Sequence, residues 1–256
     1  MSHERRTVVA VDIPAAVATV WEHVRDPELV RRWFGWDHDG LDEEIRQIFV
    51  EDAVEIHDHT DGVTTRSLKF PNHDRLTLTA RDTEPMLTHV SVTRHGHRAT
   101  DEIGWFDEID EGWIQFVHQL AFALREHPGE NRVTLQAHGL DAGDRHDPLL
   151  FRVGLHGVRG LPIHGHVEIV RPDGSHSGGT VVYRTANQVG IHVHGIAESL
   201  LVLVMRPVGV RPPHGTVDAT LSTYGLDDEL LAEARRRWSR WWSDRPHSRS
   251  RAASSR

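Results

Sequence analysis

An amphipathic segment with clear start and stop signals lies at the centre of this 256-residue chain, from Asp107 to Gly129. Asp107 is a suitable N-cap, and the acidic residues after it suit the positive end of a helix dipole. His127-Pro128-Gly129 then ends the helical pattern. One face of the segment is apolar and consists of Ile109, Trp113, Phe116, Val117, Leu120 and Leu124. The pattern predicts a core-facing helix that closes one folded unit in mid-chain, with half of the chain still to follow.

The residues before this helix predict a strand, two helices and an antiparallel meander. Val9, Val11 and Ile13 alternate with small or polar residues, as in a strand. Pro14 suits the first turn of a following helix, and Asp26-Pro27 is an N-cap followed by a proline at the first position of a second, short helix. Alternating apolar residues then predict strands in "RLTLTARD" and "THVSVTR".

The residues after the central helix repeat this order of elements. "RVTLQAHGL" alternates like a strand, and Asp147-Pro148 again opens a short apolar segment. Five further strand candidates follow, with "GSHSGG" read as a hairpin turn, and a final helix starts near Asp227. We therefore predict a first domain at 1–129, a second, reduced domain at 130–243 and a disordered basic tail at 244–256.

Two motifs in the first half resemble a known family. The opening "VDIPAAVATVWEHVRDPELVRRWFGW" and the residues Gly112, Trp113, Phe116 and Leu120 of the central helix are similar to the SRPBCC (START-like, helix-grip) superfamily. The similarity is closest to the branch named after the activator of the heat-shock-protein ATPase. It covers residues 5–128, and residues 130–243 resemble a second, reduced unit, chiefly in their element order.

The resemblance implies an α+β helix-grip fold, in which a curved antiparallel sheet surrounds a long C-terminal helix, present twice in tandem. In this superfamily the space between sheet and helix binds hydrophobic molecules, and a few members catalyse cyclisation or hydrolysis. On that basis the expected ligand-binding residues of the first domain are Trp33, Trp36, Trp105, Trp113, Phe116 and Leu120. The alternative is that these aromatic residues simply fill the core. Gly112 either allows a close approach to a strand or ligand, or is tolerated in a frayed first turn.

Composition and charge narrow the class of protein. Hydrophobic residues make up 38% of the chain, and cysteine is absent, which excludes disulfides, thiolate catalysis and Cys-ligated metals. Residues 1–129 carry a net charge of −12, so nucleic-acid binding is disfavoured. The N-terminus lacks a signal-peptide pattern, and the longest apolar run, "LLVLVM", is too short for a membrane span. We expect a cytoplasmic bacterial protein.

Four histidine pairs are the strongest candidates for a metal site in this sequence. The H-x-H pairs are His57/His59, His95/His97, His164/His166 and His192/His194. Residues i and i+2 of a strand share a face, so each pair offers two metal ligands, but a catalytic zinc needs a third. His192 and His194 alternate with apolar residues and are expected to face solvent. We therefore predict structural or surface histidines, with no bound metal and no cofactor.

Other catalytic patterns are weak. A nucleophile motif is missing, and the acidic pairs Asp42–Glu44 and Asp107–Glu111 are expected to be solvated or helix-capping carboxylates rather than general bases. Ile114 and Phe122 lie off the main apolar face of the central helix, and "SLLVLVM" is apolar on both strand faces. These surfaces predict packing between the two units, or a homodimer.

The preferred function at this stage is non-catalytic binding of a hydrophobic or aromatic small molecule in the cavity of the first domain. Two alternatives stay open: a cyclase- or hydrolase-like enzyme, and an interaction module such as a chaperone ATPase regulator. An enzyme requires polar groups with perturbed titration at the cavity, a binder requires an apolar cavity, and an interaction module requires a filled core with an exposed apolar patch.

Overall fold

The computed structural model describes residues 5–96, 105–171, 174–195 and 197–243, which form two antiparallel sheets with helices packed on them. The first sheet has the strand order β1-β5-β4-β3-β2. Its strands are β1 (Arg5–Ile13), β2 (Val54–Thr60), β3 (Val63–Lys69), β4 (Arg75–Arg81) and β5 (Thr88–His95). The α+β class and the predicted meander are therefore confirmed.

Three short helices connect the first two strands. They are α1 (Val17–Arg25), α2 (Pro27–Val30) and α3 (Leu41–Ile45), and α3 continues into a π-helical turn at Arg46–Glu51. The Asp26 side chain caps α2, and Pro27 occupies its first position, as predicted. Helix α1 begins only at Val17, so the prediction that Pro14 lies in its first turn is wrong.

The central helix, α4 (Glu108–Glu126), begins and ends where the sequence predicts. Asp107 accepts hydrogen bonds from two backbone amides of its first turn, at 2.9 and 3.0 Å. Arg94 on β5 pairs with the carboxylates of Asp107 and Asp74, each at 3.0 Å, and the Trp113 indole donates to Asp74 at 2.9 Å. Ion pairs and a buried indole hydrogen bond therefore fix the start of α4 on the first sheet.

The second sheet has the order β6-β11-β10-β9-β8-β7. Its strands are β6 (Arg132–Asp141), β7 (His166–Val170), β8 (His176–Arg184), β9 (Gln188–Val193), β10 (Ser199–Arg206) and β11 (Thr216–Tyr224). Helix α5 (Leu149–Arg152) and a 3₁₀ turn (Val158–Gly160) follow β6, and α6 (Asp228–Ser243) ends the described chain. Because β8 begins at His176, most of "GSHSGG" is strand, and the prediction that this stretch is a hairpin turn is wrong for those residues.

Helix α4 lies between the two sheets and is covered on both sides. Trp113, Val117 and Leu120 belong to the core of the first sheet. The opposite side of α4 contacts the second sheet through Ile114, Phe122 and Ala123, which pack with Tyr183, Leu200, Val202, Val204 and Tyr224. The contact predicted for Ile114 and Phe122 is thus present within one chain.

The same arrangement explains why β10 is apolar on both faces. Leu200 and Val202 point toward α4, whereas Leu201 and Leu203 belong to the core beneath α6, with Trp238 and Trp241. Since alternate residues of a strand face opposite sides, both layers need apolar residues at every position of this strand. The strand is buried from Ser199 through Val204.

Buried polar contacts also join the two halves. Arg132, the first residue of β6, donates to the carbonyl oxygens of Trp33, Phe34 and Gly35 at 2.9, 2.5 and 3.0 Å. The amide of Thr134 donates to Asp37 at 2.6 Å. The domain boundary predicted at residue 129 lies in the short link between α4 and β6, and these contacts cross it.

Candidate ligand-binding site

A cavity of about 1110 Å³ lies between the first turns of α4, the segment after α2 and the α4-facing side of the second sheet. This volume lies slightly above the range that small-molecule sites commonly enclose, roughly 300–1,000 Å³. The first half of the chain contributes lining residues such as Trp36 and Phe116, and the second contributes residues such as Gln136 and Thr220. Both units therefore form one site.

This position differs from the expected one, a cavity enclosed by the first sheet and its closing helix. The space between that sheet and α4 is filled by large side chains without solvent exposure, namely Trp33, Leu76, Leu78, Val90, Val117 and Leu120. These side chains belong to the packed core of the first sheet and do not line the cavity. The cavity lies instead beside the part of α4 where the second sheet approaches.

Aromatic side chains form one wall of the cavity. Phe34 and Phe116 have ring centroids 4.8 Å apart, and Trp36 lies 6.3 Å from Phe116. Phe70 and Trp113 are 5.3 Å apart, and the Trp113 indole is oriented by its hydrogen bond to Asp74. Trp36 is 39% exposed and lies at the mouth. Ring faces and edges in this arrangement suit an aromatic ligand.

The opposite wall is polar and belongs to the second sheet. Thr216, Asp218 and Thr220 of β11 line the cavity, while Val217 and Ala219 between them pack into the core beneath α6. The alternation of the strand therefore presents a row of hydrogen-bonding groups to the cavity and an apolar row to the core. Gln136 and His138 of β6 and Arg206 of β10 extend this polar wall.

His138, Asp218 and Arg206 form a connected polar group on this wall. Nδ1 of His138 lies 3.8 Å from Oδ1 of Asp218, and Arg206 Nε donates to Asp218 Oδ2 at 2.9 Å. Burial alone would raise the pKa of Asp218, but His138, the Gly139 amide and Arg206 outweigh it and hold that pKa well below its usual range. An ionised Asp218 therefore lies beside the imidazole of His138, whose Nε2 is 2.5 Å from Oε1 of Gln136.

Glu111 is a second unusual acid at the cavity. Burial raises the pKa of its carboxyl, although hydrogen bonds from Asn187 and Gln188 act in the opposite direction. Those amides donate to the carboxylate oxygens at 2.8 and 2.7 Å. Glu111 therefore joins α4 to the β8–β9 turn and places a buried carboxyl group at the junction of the two units.

The members of the two acidic pairs, Asp42–Glu44 and Asp107–Glu111, have different partners in the structure. Asp42 is an exposed partner of Arg31, and Glu44 lies at the cavity mouth, 3.1 Å from Nε2 of His38. The pKa of His38 is raised, first by its hydrogen bond to the Asp39 carbonyl and then by Glu44. Asp107 caps α4, as described above, but the expectation is wrong for Glu111, which is neither solvated nor capping because Asn187 and Gln188 cover it. Neither pair brings two free carboxylates together.

The structure brings three of the six expected ligand-binding residues to the cavity. Trp36, Trp113 and Phe116 line it. Trp33 and Leu120 are fully buried in the core, where the Trp33 indole donates to the His23 carbonyl at 2.7 Å. Trp105 is 49% exposed and is not among the lining residues.

Sequence reasoning missed every lining residue contributed by the second unit. A signal was present in β11, where Thr216, Asp218 and Thr220 alternate with apolar residues on a strand that is central to its sheet. Thr220 is buried, at 4% exposure, so its side of the strand is not an open surface. When polar residues recur on one face of a strand whose two faces are both covered, that face is expected to line a cavity.

The histidine pairs occupy different environments. His57 and His59 lie on the exposed edge strand β2, and His97 is outside the described residues. His194 is exposed, but the His192 side chain is only 15% exposed and meets Phe122 edge to face, with centroids 5.0 Å apart. The expectation that both face solvent is therefore wrong for His192, because α4 covers that part of the second sheet.

No described helix combines the length and apolar character that a membrane span requires.

Comparison with known proteins gives limited similarity. No family model matches the chain, and no curated protein matches it. Among solved structures, the di-domain ARO/CYC StfQ from the steffimycin biosynthetic pathway aligns over 93% of this chain and 92% of its own, with 11% identity and a TM-score of 0.27. The di-domain ARO/CYC BexL from the BE-7585A biosynthetic pathway aligns over 93% of both chains, with 13% identity and a TM-score of 0.30. At such scores neither site residues nor an activity carry over to this chain.

Proposed function

We propose that this protein binds a planar, largely apolar small molecule with polar substituents in the cavity shared by its two units. One observation carries the proposal: an aromatic wall formed by Phe34, Trp36 and Phe116 faces a polar wall formed by the second sheet. Aromatic surface supplies affinity through burial, and a few fixed hydrogen-bonding groups supply orientation.

We further propose that each unit is a helix-grip unit. A long helix packs on one face of an antiparallel sheet in both halves, α4 on the first sheet and α6 on the second. The short helices α1 and α2 lie between the first two strands of the first unit, in the order that the family resemblance implies. The more specific branch, named for the heat-shock-protein ATPase activator, stays a prediction.

Native mass spectrometry of the protein purified from its own host tests the binding proposal first. A co-purifying small molecule with aromatic absorbance is the expected result. Titration of the purified chain with planar polyphenols, followed by tryptophan fluorescence, then measures affinity, because Trp36 and Trp113 line the cavity.

Two variants locate the binding site. A Cβ at Gly112 meets only Phe116 Cε2, at 3.6 Å, so Gly112→Leu projects into the cavity without a backbone clash. We expect it to weaken binding at least tenfold while the chain stays folded. Trp36→Ala should weaken binding as well, and the matched control Trp105→Ala should not, since Trp105 lies outside the lining residues. Equal effects of the two tryptophan variants would contradict the proposed site.

Catalysis on the bound molecule is the second candidate, and the His138–Asp218–Arg206 group favours it. In such a reaction His138 would move a proton, and Asp218 would orient the imidazole. His138→Gln should then abolish turnover while binding persists. If every bound compound is recovered unchanged after incubation, the result contradicts catalysis and supports binding alone. The interaction-module alternative is favoured less, because the cavity is open and α4 is covered on both sides.

A further inference from the structure

Three metal-ligating side chains meet at the β9–β10 hairpin, away from the cavity. Oε2 of Glu198 lies 2.5 Å from Nε2 of His192 and 2.9 Å from Nδ1 of His194. The three donor atoms all lie within 4.8 Å of one another. Among the described residues this is the one group of three such side chains at that spacing.

The local fold explains why they converge. His192 and His194 are two residues apart at the end of β9, so they lie on the same side of the backbone. The hairpin then returns, and β10 begins with Ser199 opposite Val193. Glu198, just before β10, is thereby placed beside the two imidazoles, although it is six residues from His192 in sequence.

Two features of the histidine rings indicate more than a surface ion pair. Nε2 of His192 is buried and makes no hydrogen bond of acceptable geometry, despite the Glu198 oxygen nearby. On His194, the ring nitrogen that does not face Glu198 lies 3.1 Å from Thr180 Oγ1. A ligating histidine usually donates its other N–H to an oxygen in this way, which fixes the tautomer and the ring orientation.

We propose that His192 Nε2, His194 Nδ1 and the Glu198 carboxylate form a Zn²⁺ site. Two imidazoles and one carboxylate are an established donor set for zinc, which binds nitrogen at about 2.0–2.1 Å and leaves the fourth position for water. The ligand atoms of a tetrahedral site with that radius lie about 3.3 Å from one another. The Glu198 oxygen is now 2.5 and 2.9 Å from the two histidine nitrogens, so small side-chain rotations would make room for the ion between them.

The site lies where the β9–β10 hairpin meets the end of α4. His192 contacts Phe122 of α4, and the imidazole of His127, just after α4, hydrogen-bonds to the Glu198 carbonyl oxygen. A metal here would hold the hairpin against the end of α4. The cavity lies near the opposite end of β10, at Val204 and Arg206, on the order of 20 Å along the strand. The proposal is therefore independent of the proposed function.

Calorimetric titration of the chelator-treated full chain with ZnCl₂ tests the site. We expect one site per chain that is tighter than the weak binding of scattered histidines, with a raised melting temperature. Glu198→Gln keeps the shape of the side chain and should weaken the site at least tenfold, as should His194→Gln. The control His57→Ala/His59→Ala removes an exposed H-x-H pair and should leave the site unchanged.

Cobalt supplies a readout that does not depend on stability. Co²⁺ in the wild-type chain should give the strong visible absorption of four-coordinate geometry, and Glu198→Gln should lose it. Thr180→Val should weaken zinc binding by about tenfold, because His194 loses the hydrogen bond between its Nε2 and Thr180 Oγ1. The site is rejected if the tight binding is missing, if Glu198→Gln and His194→Gln keep it, or if the control loses it equally. In that case the three residues form only an ion pair. Circular dichroism identifies any variant that fails to fold. If one of Glu198→Gln and His194→Gln is unfolded, zinc binding by the other one tests the site.

Discussion

The two sheets of this protein differ in how much of their surface other elements cover. On the first sheet, α4 packs against one face, and the edge strand β2 is exposed along its whole length. On the second sheet, α6 packs against one face and α4 against the other, so β10 is buried from both sides. The difference shows that α4 contributes side chains to the packing of both sheets.

A shared helix has a consequence for the site. The first turns of α4 carry Glu111, Trp113 and Phe116, and the second sheet faces these residues with Asp218 and Thr220. The cavity therefore forms only when both units are in place. A change at the contact between α4 and the second sheet should affect stability and binding together, whereas a change on the uncovered face of the first sheet should affect neither strongly.

The largest effect is expected at the centre of the doubly covered strand. Val202→Asp places a carboxylate between α4 and the second sheet, where Val202 is 1% exposed. Burial of an unpaired charge should lower the free energy of unfolding by about 4 kcal/mol in urea denaturation. The control is Thr79→Asp on β4 of the first sheet. Thr79 lies between two buried residues but points to the opposite face of the strand, so the free energy of unfolding should fall by only about 1 kcal/mol. Equal losses would remove the distinction between the sheets.

The next effect concerns the polar link between the halves. Arg132→Met removes hydrogen bonds to the carbonyl oxygens of Trp33, Phe34 and Gly35. The Trp33 oxygen keeps a donor in Gln119 Nε2, whereas the Phe34 and Gly35 oxygens lose the side-chain donor that reaches them. We expect unfolding in urea to show a loss of about 3 kcal/mol. Arg235→Met on the exposed side of α6 is the control and should change little. A loss below about 1 kcal/mol would mean that the halves do not depend on this link.

A smaller effect should depend on pH. His118 on α4 stacks on Tyr183 of the second sheet at 3.7 Å, and burial, assisted by Arg125, lowers the pKa of its imidazole to about 4. The unfolded chain binds this proton near pH 6.5, so the stability contributed by neutral His118 is complete above that pH and is lost as pH falls toward 4.

His118→Phe keeps the stacked ring and removes the titration. Between pH 7 and pH 4.5 the wild type should lose roughly 2 kcal/mol more stability than this variant, measured by urea denaturation at both values. Parallel pH profiles for the two proteins would show that the imidazole is not buried between α4 and the second sheet.

The smallest effect is expected at Gly112. Gly112→Ala should raise the free energy of unfolding by up to about 1 kcal/mol, because alanine is the better helix former and its Cβ makes only an ordinary contact with Phe116. Ligand binding should change little, in contrast to Gly112→Leu. Thermal unfolding measures the first quantity and fluorescence titration the second, and a destabilised alanine variant would indicate that the helix start differs from the one described.

Local patterns predicted most of the fold. The caps at Asp26 and Asp107, the alternating strands and the ends of α4 all depend on neighbouring residues, and the structure has them as expected. The apolar character of β10 also predicted a second covering layer. The wrong or displaced assignments, at Pro14 and at "GSHSGG", concern where an element begins, which nearby residues define least well.

The candidate site was less predictable because it depends on docking. Trp113 and Phe116 follow from the α4 pattern, but Asp218 and His138 belong to it only because the second sheet faces α4. No spacing in the sequence encodes that approach. The same holds for Glu198, which joins His192 and His194 only after the hairpin returns.

Hydrogen–deuterium exchange with and without a bound aromatic ligand tests the central claim, that both units build one cavity around α4. Ligand binding should slow exchange in peptides covering 105–116 of the first unit and also in peptides covering 134–139 and 216–220 of the second. Protection confined to residues 1–129 would contradict the shared cavity and place the ligand within the first unit alone.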